Sequence, residues 1–117
     1  VEHRLCLLRV NSSQALQDQI KVGDLLPMHQ GAGGKVIQAF EGRKGKLFDQ
    51  IRKAGVLALP SDRIQEISGI SAPVFNDSGL LGALTLTMPT YRYNLKHTQI
   101  VKETAEKVSK LLSSQPA

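Results

Sequence analysis

The sequence predicts a mixed α/β (α+β) fold in which an antiparallel β-hairpin supports amphipathic helices. Three observations lead there. Residues 67–89 form two alternating runs around Asn76-Asp77-Ser78-Gly79, a turn-forming quartet. Ile100, Val101, Thr104, Ala105, Val108, Leu111 and Leu112 recur with the ~3.6-residue period of a helix. A hairpin alone is marginal in water, so its apolar face requires a covering layer, and the helix supplies one.

Taken in order, Glu2 to Val10 read as a strand of alternating apolar residues, ended by Asn11-Ser12-Ser13. A second extended segment is expected over Ala15 to Val22, although Leu16 and Ile20 also fit helical spacing. Gly23-Asp24 turns the chain, and Pro27 keeps Leu26 extended. Gly31-Ala32-Gly33-Gly34-Lys35 then leads into a short helix with Val36, Ile37 and Phe40 on one face. Helix starts present unpaired N–H groups and the positive end of the dipole, so an anion is favoured there, and glycines let a ligand approach the backbone. The stretch is no P-loop, because His29 stands where a glycine is needed and Val36 where Ser or Thr is needed. The plainer alternative is that these glycines let the helix pack closely on a sheet.

Residues 41–46 form a basic, glycine-bearing connection to a second helix over 47–54, with Leu47, Phe48 and Ile51 as its buried stripe and Gly55 after its end. Val56 to Leu59 reads as a short strand broken by Pro60-Ser61-Asp62. In the hairpin, a three-residue loop closed by Gly79 sets Asn76 opposite Leu80, Ser71 opposite Thr85 and Gly69 opposite Thr87. One face then carries Ile70, Ala72, Val74, Leu84 and Leu86. The other carries small and hydroxylated residues, which either line a pocket for a small polar ligand or simply face solvent. Asn94 caps the last helix, and Gln115-Pro116-Ala117 is expected to fray.

At 117 residues the chain is long enough for one domain with a core of its own, spanning 1–117. Cys6 is the only cysteine, which excludes an internal disulfide and suits a cytoplasmic setting. Its apolar surroundings point to a buried, inert thiol. The net charge of +5 raises the question of nucleic acid, but aromatics are 4% and the basic residues are dispersed, apart from Arg43-Lys44-Gly45-Lys46 and Arg52-Lys53. No apolar run approaches the ~20 residues of a membrane helix. His3, His29 and His97 fall on three separate elements with no metal-ligand spacing, and His29 reads as a hydrogen-bonded structural histidine. No acid, base and nucleophile set converges, so no enzyme, cofactor or metal is expected.

Val22-Gly23-Asp24-Leu25-Leu26-Pro27-Met28-His29, the Gly34-Lys35 helix start, Ile51-Arg52-Lys53-Ala54-Gly55, Ile70 to Gly79 and Ala83 to Pro89 occur in this order before the terminal helix. From about Arg4 to Leu112 the series resembles the C-terminal effector-binding domain of the isocitrate lyase regulator (IclR) family of bacterial transcription factors. The resemblance implies a GAF-like domain, a curved, mostly antiparallel sheet with helices packed on it, that binds a small metabolite, often a carboxylic acid. It implies a homodimer or homotetramer, and contact with DNA only through an N-terminal winged helix-turn-helix absent from this chain. It places ligand contacts at Ala32, Gly33, Gly69, Thr85 and Thr87, with Gly69 at a position that is cysteine-like in the family; Gly34 of the glycine-rich helix start, Ser71 of the hydroxylated face and Leu26 complete the expected site. Two departures stand out. Residues 41–46 replace a longer segment of many members, and Leu59-Pro60 stands where many carry an acidic pair. These point to a roomier or more apolar pocket, and so to a carboxylate-type metabolite or a more apolar acid as ligand. The alternative is a structural dimerisation module with a degenerate pocket.

Overall fold

The computed structural model describes residues 3–10, 20–61 and 66–113. Its centre is the hairpin: β4 (Ile67–Asn76) and β5 (Gly79–Pro89) pair antiparallel, and β3 (Leu57–Leu59) adds to the other edge of β4. The loop is one residue shorter than expected, because Asn76 lies opposite Gly79 and Asp77-Ser78 alone make the turn. A one-residue bulge then follows: Phe75 faces Leu80 but Val74 faces Gly82, leaving Leu81 without a partner position. The bulge restores the expected register below it, with Ser71 opposite Thr85 and Gly69 opposite Thr87.

That register separates the two faces. Ile70, Ala72, Val74 and Met88 turn to α3 (Lys96–Ser113) and pack with its Val101 and Ala105, with Val108 and Leu112 at the margin. The stripe is narrower than the periodicity suggested, since Ile100, Thr104 and Leu111 are exposed. Asn94 does serve the start of α3, its Oδ1 accepting the N–H of Lys96 at 2.9 Å, after a 3₁₀ turn over Thr90–Arg92.

The other face receives α1 (Gly31–Phe40), which takes the glycines into its own first turn. Gly31 has φ 82°, a backbone that a side chain would strain, as the chain swings into the helix. Val36 and Ala39 meet Ile51 of α2 (Lys46–Ala54), with Phe48, Leu57 and Ala83 around them. Leu47 is exposed, contrary to expectation, because a nine-residue helix against one neighbour buries little more than one turn's stripe. The guanidinium of Arg52 ties the pair together, donating to the carbonyls of Ala39 and Arg43 while its other nitrogen meets Asp49.

The N-terminal region departs most from expectation. Its strand β1 covers only His3–Leu5, and its partner is β2 (Leu25–Pro27). The Cys6 N–H still donates to the Asp24 carbonyl and the Gly23 N–H to Cys6, prolonging the ribbon by one residue. Residues 20–22 are not a strand, and Glu2, 15–19, Asp62 and Gln115 to Ala117 lie outside the described residues. Cys6 is half-buried rather than buried, since this ribbon is covered on one side. His29 is exposed, and it is its carbonyl, not its ring, that is engaged, by Lys35 Nζ at 3.1 Å.

Candidate functional site

The hydroxylated face of the hairpin and the glycine-rich first turn of α1 lie against each other. Ser71 is fully buried and shares a 2.9 Å hydrogen bond with the exposed Thr85 across the strands. Above this pair sits Gly33. A methyl group there would lie 3.1 Å from Thr85 Oγ1 and 3.9 Å from Ser71 Oγ, so bare backbone meets the two hydroxyls. Gly34 is more confined: a methyl group would stand 2.0 Å from the Met28 carbonyl oxygen and 2.7 Å from Arg4 Nη1. Only hydrogen fits.

Arg4 was not legible as a site residue. It enters because β1 pairs with β2, which sets Arg4 opposite Leu26 and turns it inward, where Nη1 donates to the Pro27 carbonyl. Its Nε lies 3.6 Å from the methyl position of Gly33. The one available signal was a charge set inside the apolar run Arg4-Leu5-Cys6-Leu7-Leu8.

Of the expected site residues, Ser71 and Thr85 thus gather with Arg4 around Gly33, and Gly34 meets Arg4 from the next position. Ala32 is buried in the same turn, and Leu26 is half-buried beside Arg4. Gly69 and Thr87 face each other two residues further along the hairpin, about 7 Å away by strand geometry. Gly69 is buried between Leu59 and Thr87, and contributes backbone only.

The electrostatics of the spot favour negative charge. The first turn of α1 holds no acidic side chain, its dipole places partial positive charge there, and the guanidinium adds a full one. Ser and Thr hydroxyls can donate or accept by rotation. The contact is sealed on the Ser71 side and opens to solvent on the Thr85 side. Among the described residues no group of three or more His, Cys, Asp or Glu side chains could hold a metal ion, and no helix is long and apolar enough to cross a membrane.

A hollow of about 530 Å³ lies elsewhere, where β3 has ended and the edge of β4 runs on between α2 and α3. Phe40, Ala72, Pro73 and Phe75 floor it, and the Phe40 and Phe75 rings meet edge to face at 5.8 Å. The strand edge there is closed to further pairing: Pro73 has no N–H, and that of Phe75 is donated to Ser109 Oγ at 2.9 Å.

The family model for the bacterial transcriptional regulator IclR C-terminal region matches residues 44–113. Those residues include Gly69, Ser71, Thr85 and Thr87 but not Arg4 or the glycine-rich turn. Among solved structures, the chain resembles the C-terminal domain of a putative transcriptional regulator from Vibrio cholerae, with 26% identity and a TM-score of 0.76 over 90% of this chain and 78% of that one. It also resembles an IclR homolog from Microbacterium hydrocarbonoxydans complexed with 4-hydroxybenzoate, with 20% identity and a TM-score of 0.83 over 95% of this chain and 56% of that one. A putative IclR-family regulator from Rhodococcus sp. aligns with 23% identity and a TM-score of 0.80 over 96% and 53%. The chain thus spans little more than half of the last two proteins, whose likeness to it is one of fold. No curated protein sequence matches it significantly.

Proposed function

Because the chain belongs to the IclR family of bacterial transcriptional regulators, by its match to the C-terminal domain, we propose that it senses a small carboxylic acid and associates with further copies of itself. In this reading residues 1–117 are one effector-binding domain of a cytoplasmic regulator. A winged helix-turn-helix domain N-terminal to it contacts DNA, and the acid controls that contact. The protein performs no catalysis and acts by differential binding.

One observation carries the reading: a guanidinium, a helix start and a hydroxyl pair meet at a single spot. A carboxylate approaching from the open Thr85 side is held by Arg4 and by Thr85, close to the N–H groups of Ala32, Gly33 and Gly34. Leu26 and the hairpin surface toward Gly69 and Thr87 receive its apolar body. An aromatic acid fits this division between charged end and flat body, and the Microbacterium homolog is complexed with 4-hydroxybenzoate.

Thermal-shift screening against aromatic and short aliphatic acids tests the proposal. A ligand that binds only the folded state at about 100 times its Kd stabilises it by about 2.7 kcal/mol, a rise of several degrees in Tm. The rise should vanish in Arg4→Gln, and an acid panel that moves no midpoint would refute sensing.

A second reading rests on the same contact. Gly33 approaches Thr85 so closely that the face is filled by α1 itself, as in a domain whose only task is association. A longer regulator whose DNA affinity ignores every acid, yet falls when this domain is deleted, would establish that reading instead.

A further inference from the structure

The hollow between α2 and α3 shares no residue with the spot at Arg4 and is built differently. Its floor is apolar and only partly covered: Phe40, Pro73 and Phe75 are half-buried, and the buried Ala72 and Ala105 close it from beneath. Its volume of about 530 Å³ falls within the ~300–1,000 Å³ of small-molecule pockets. The walls are basic, with Arg52 on the α2 side and Lys102 and Lys110 on the α3 side, against one carboxylate, Glu106, among the described lining residues. Arg52 is engaged by the Ala39 and Arg43 carbonyls and by Asp49. The ammonium groups of Lys102 and Lys110 have no hydrogen-bond or ion-pair partner among the described residues. Lys102 owes its place to Gly55, which ends α2 at φ 75° without a side chain: a methyl group there would stand 3.2 Å from Lys102 Cε and 3.6 Å from Nζ.

We propose that this hollow is a second binding site, for an organic anion with a bulky apolar body that rests on the Phe40 and Phe75 rings and turns its charged end toward Lys102 and Lys110. Charge selects the occupant. Two ammonium groups without partners beside an apolar floor complement a molecule that is apolar at one end and negative at the other, and their flexible stems let both reach toward one anion. Edge-to-face rings offer a flat or alkyl body both a face and an edge to pack on. An added peptide strand does not suit the hollow, because Pro73 brings no N–H to the β4 edge and that of Phe75 is already donated to Ser109. The site stands apart from the acid reading at Arg4, and either holds without the other.

Fluorescence titration of the whole chain with anilinonaphthalene sulfonate, an anion on an aromatic body, tests the site. Saturable binding is expected, with the emission lost again on adding octanoate. Lys102→Gln/Lys110→Gln should weaken the dye about tenfold, and Glu106→Gln, which removes the like charge from the wall, should tighten it by about twofold. Lys96→Gln/Lys107→Gln lowers the net charge of +5 equally from outside the hollow and should leave the affinity within about twofold, as should Arg4→Gln at the other spot. Amide resonances of Phe75, Lys102 and Ser109 should shift with the dye in two-dimensional NMR spectra of the parent, a readout that needs no variant. An equal loss in both lysine pairs reduces the effect to net charge and overturns the site. A loss confined to Arg4→Gln moves the dye to the carboxylate spot and overturns it too, as do the absence of saturable binding and amide shifts that spare Phe75 and Ser109. Acid sensing at Arg4 is judged by its own thermal shift, so the two failures are distinguishable.

Discussion

Gly34→Ala is the sharpest probe of how α1 is seated. The substitution alone should favour the helix by up to about 1 kcal/mol, because Ala is the better helix former. Against that, the new methyl would lie 2.0 Å from the Met28 carbonyl oxygen and 2.9 Å from its carbon, both backbone atoms that cannot rotate away. Relieving the overlap takes a shift of more than about 1 Å in the helix start or in the end of β2, with an overpacking cost of about 1–3 kcal/mol. The Arg4 guanidinium, 2.7 Å from the same methyl, must also move, putting at risk its bond to the Pro27 carbonyl, a charge-assisted bond of about 1.5–3 kcal/mol. The net expectation is a loss of about 3 kcal/mol, a fall of about 10 °C in Tm for a chain of this size. Urea unfolding followed by circular dichroism at the helical band measures it, since the chain has no tryptophan. Two neighbours calibrate the result. Gly33→Ala presses at 3.1 Å on a side-chain hydroxyl that can rotate, at a cost of about 1 kcal/mol, and Gly82→Ala meets nothing within 4 Å and should cost no more than about 0.5 kcal/mol. If Gly34→Ala came within about 0.5 kcal/mol of the parent, the close seating of α1 would be wrong.

Thr85→Val should weaken binding of any acid found by thermal shift by roughly tenfold to a hundredfold in calorimetric titration, and unchanged affinity would place the anion elsewhere. The same change deprives the buried Ser71 hydroxyl of its partner, so urea unfolding of the ligand-free variant should show a loss of about 1 kcal/mol. Arg52→Lys cannot reach the Ala39 and Arg43 carbonyls and Asp49 together, and should cost about 1.5–3 kcal/mol; a Tm within 1–2 °C of the parent would contradict this. Ser109→Ala leaves the Phe75 N–H without its acceptor at the edge of β4. Hydrogen exchange at Phe75 should accelerate by about tenfold, with a stability loss of about 1 kcal/mol.

The hairpin and its two faces were legible because alternation is local, and because each face has one chemistry that a slip would scatter. The turn was read one residue too long. Asp-Ser-Gly suits both a three-residue loop and a two-residue loop followed by a bulge, and only the packing of Leu80 and Leu81 separates them. The pairing of β1 with β2 was hidden for a different reason. Three-residue strands have too short a pattern to announce a partner some twenty residues away, so Arg4 could not be seen to turn toward Gly33 and Gly34. The terminal helix was read correctly in position but not in width, since its apolar positions outnumber those that three strands can cover, leaving Ile100 and Leu111 in water. The gathering of small and hydroxylated residues opposite a glycine-rich helix start was visible in advance, but its tightness depends on distances of a few tenths of an ångström.

The unpaired Leu81 has a consequence for how this molecule tolerates change. Strand side chains alternate with period two, so a residue gained or lost at the hairpin tip should invert every position below it. Here one residue of slack is held between the tip and the faces that meet α1 and α3. A tip lengthened by one residue can draw on that slack by straightening the bulge, and Ser71 still arrives opposite Thr85. The outer end of the hairpin is therefore mechanically insulated from its base, free to vary in length and composition at the surface while the face beneath Gly33 stays in place.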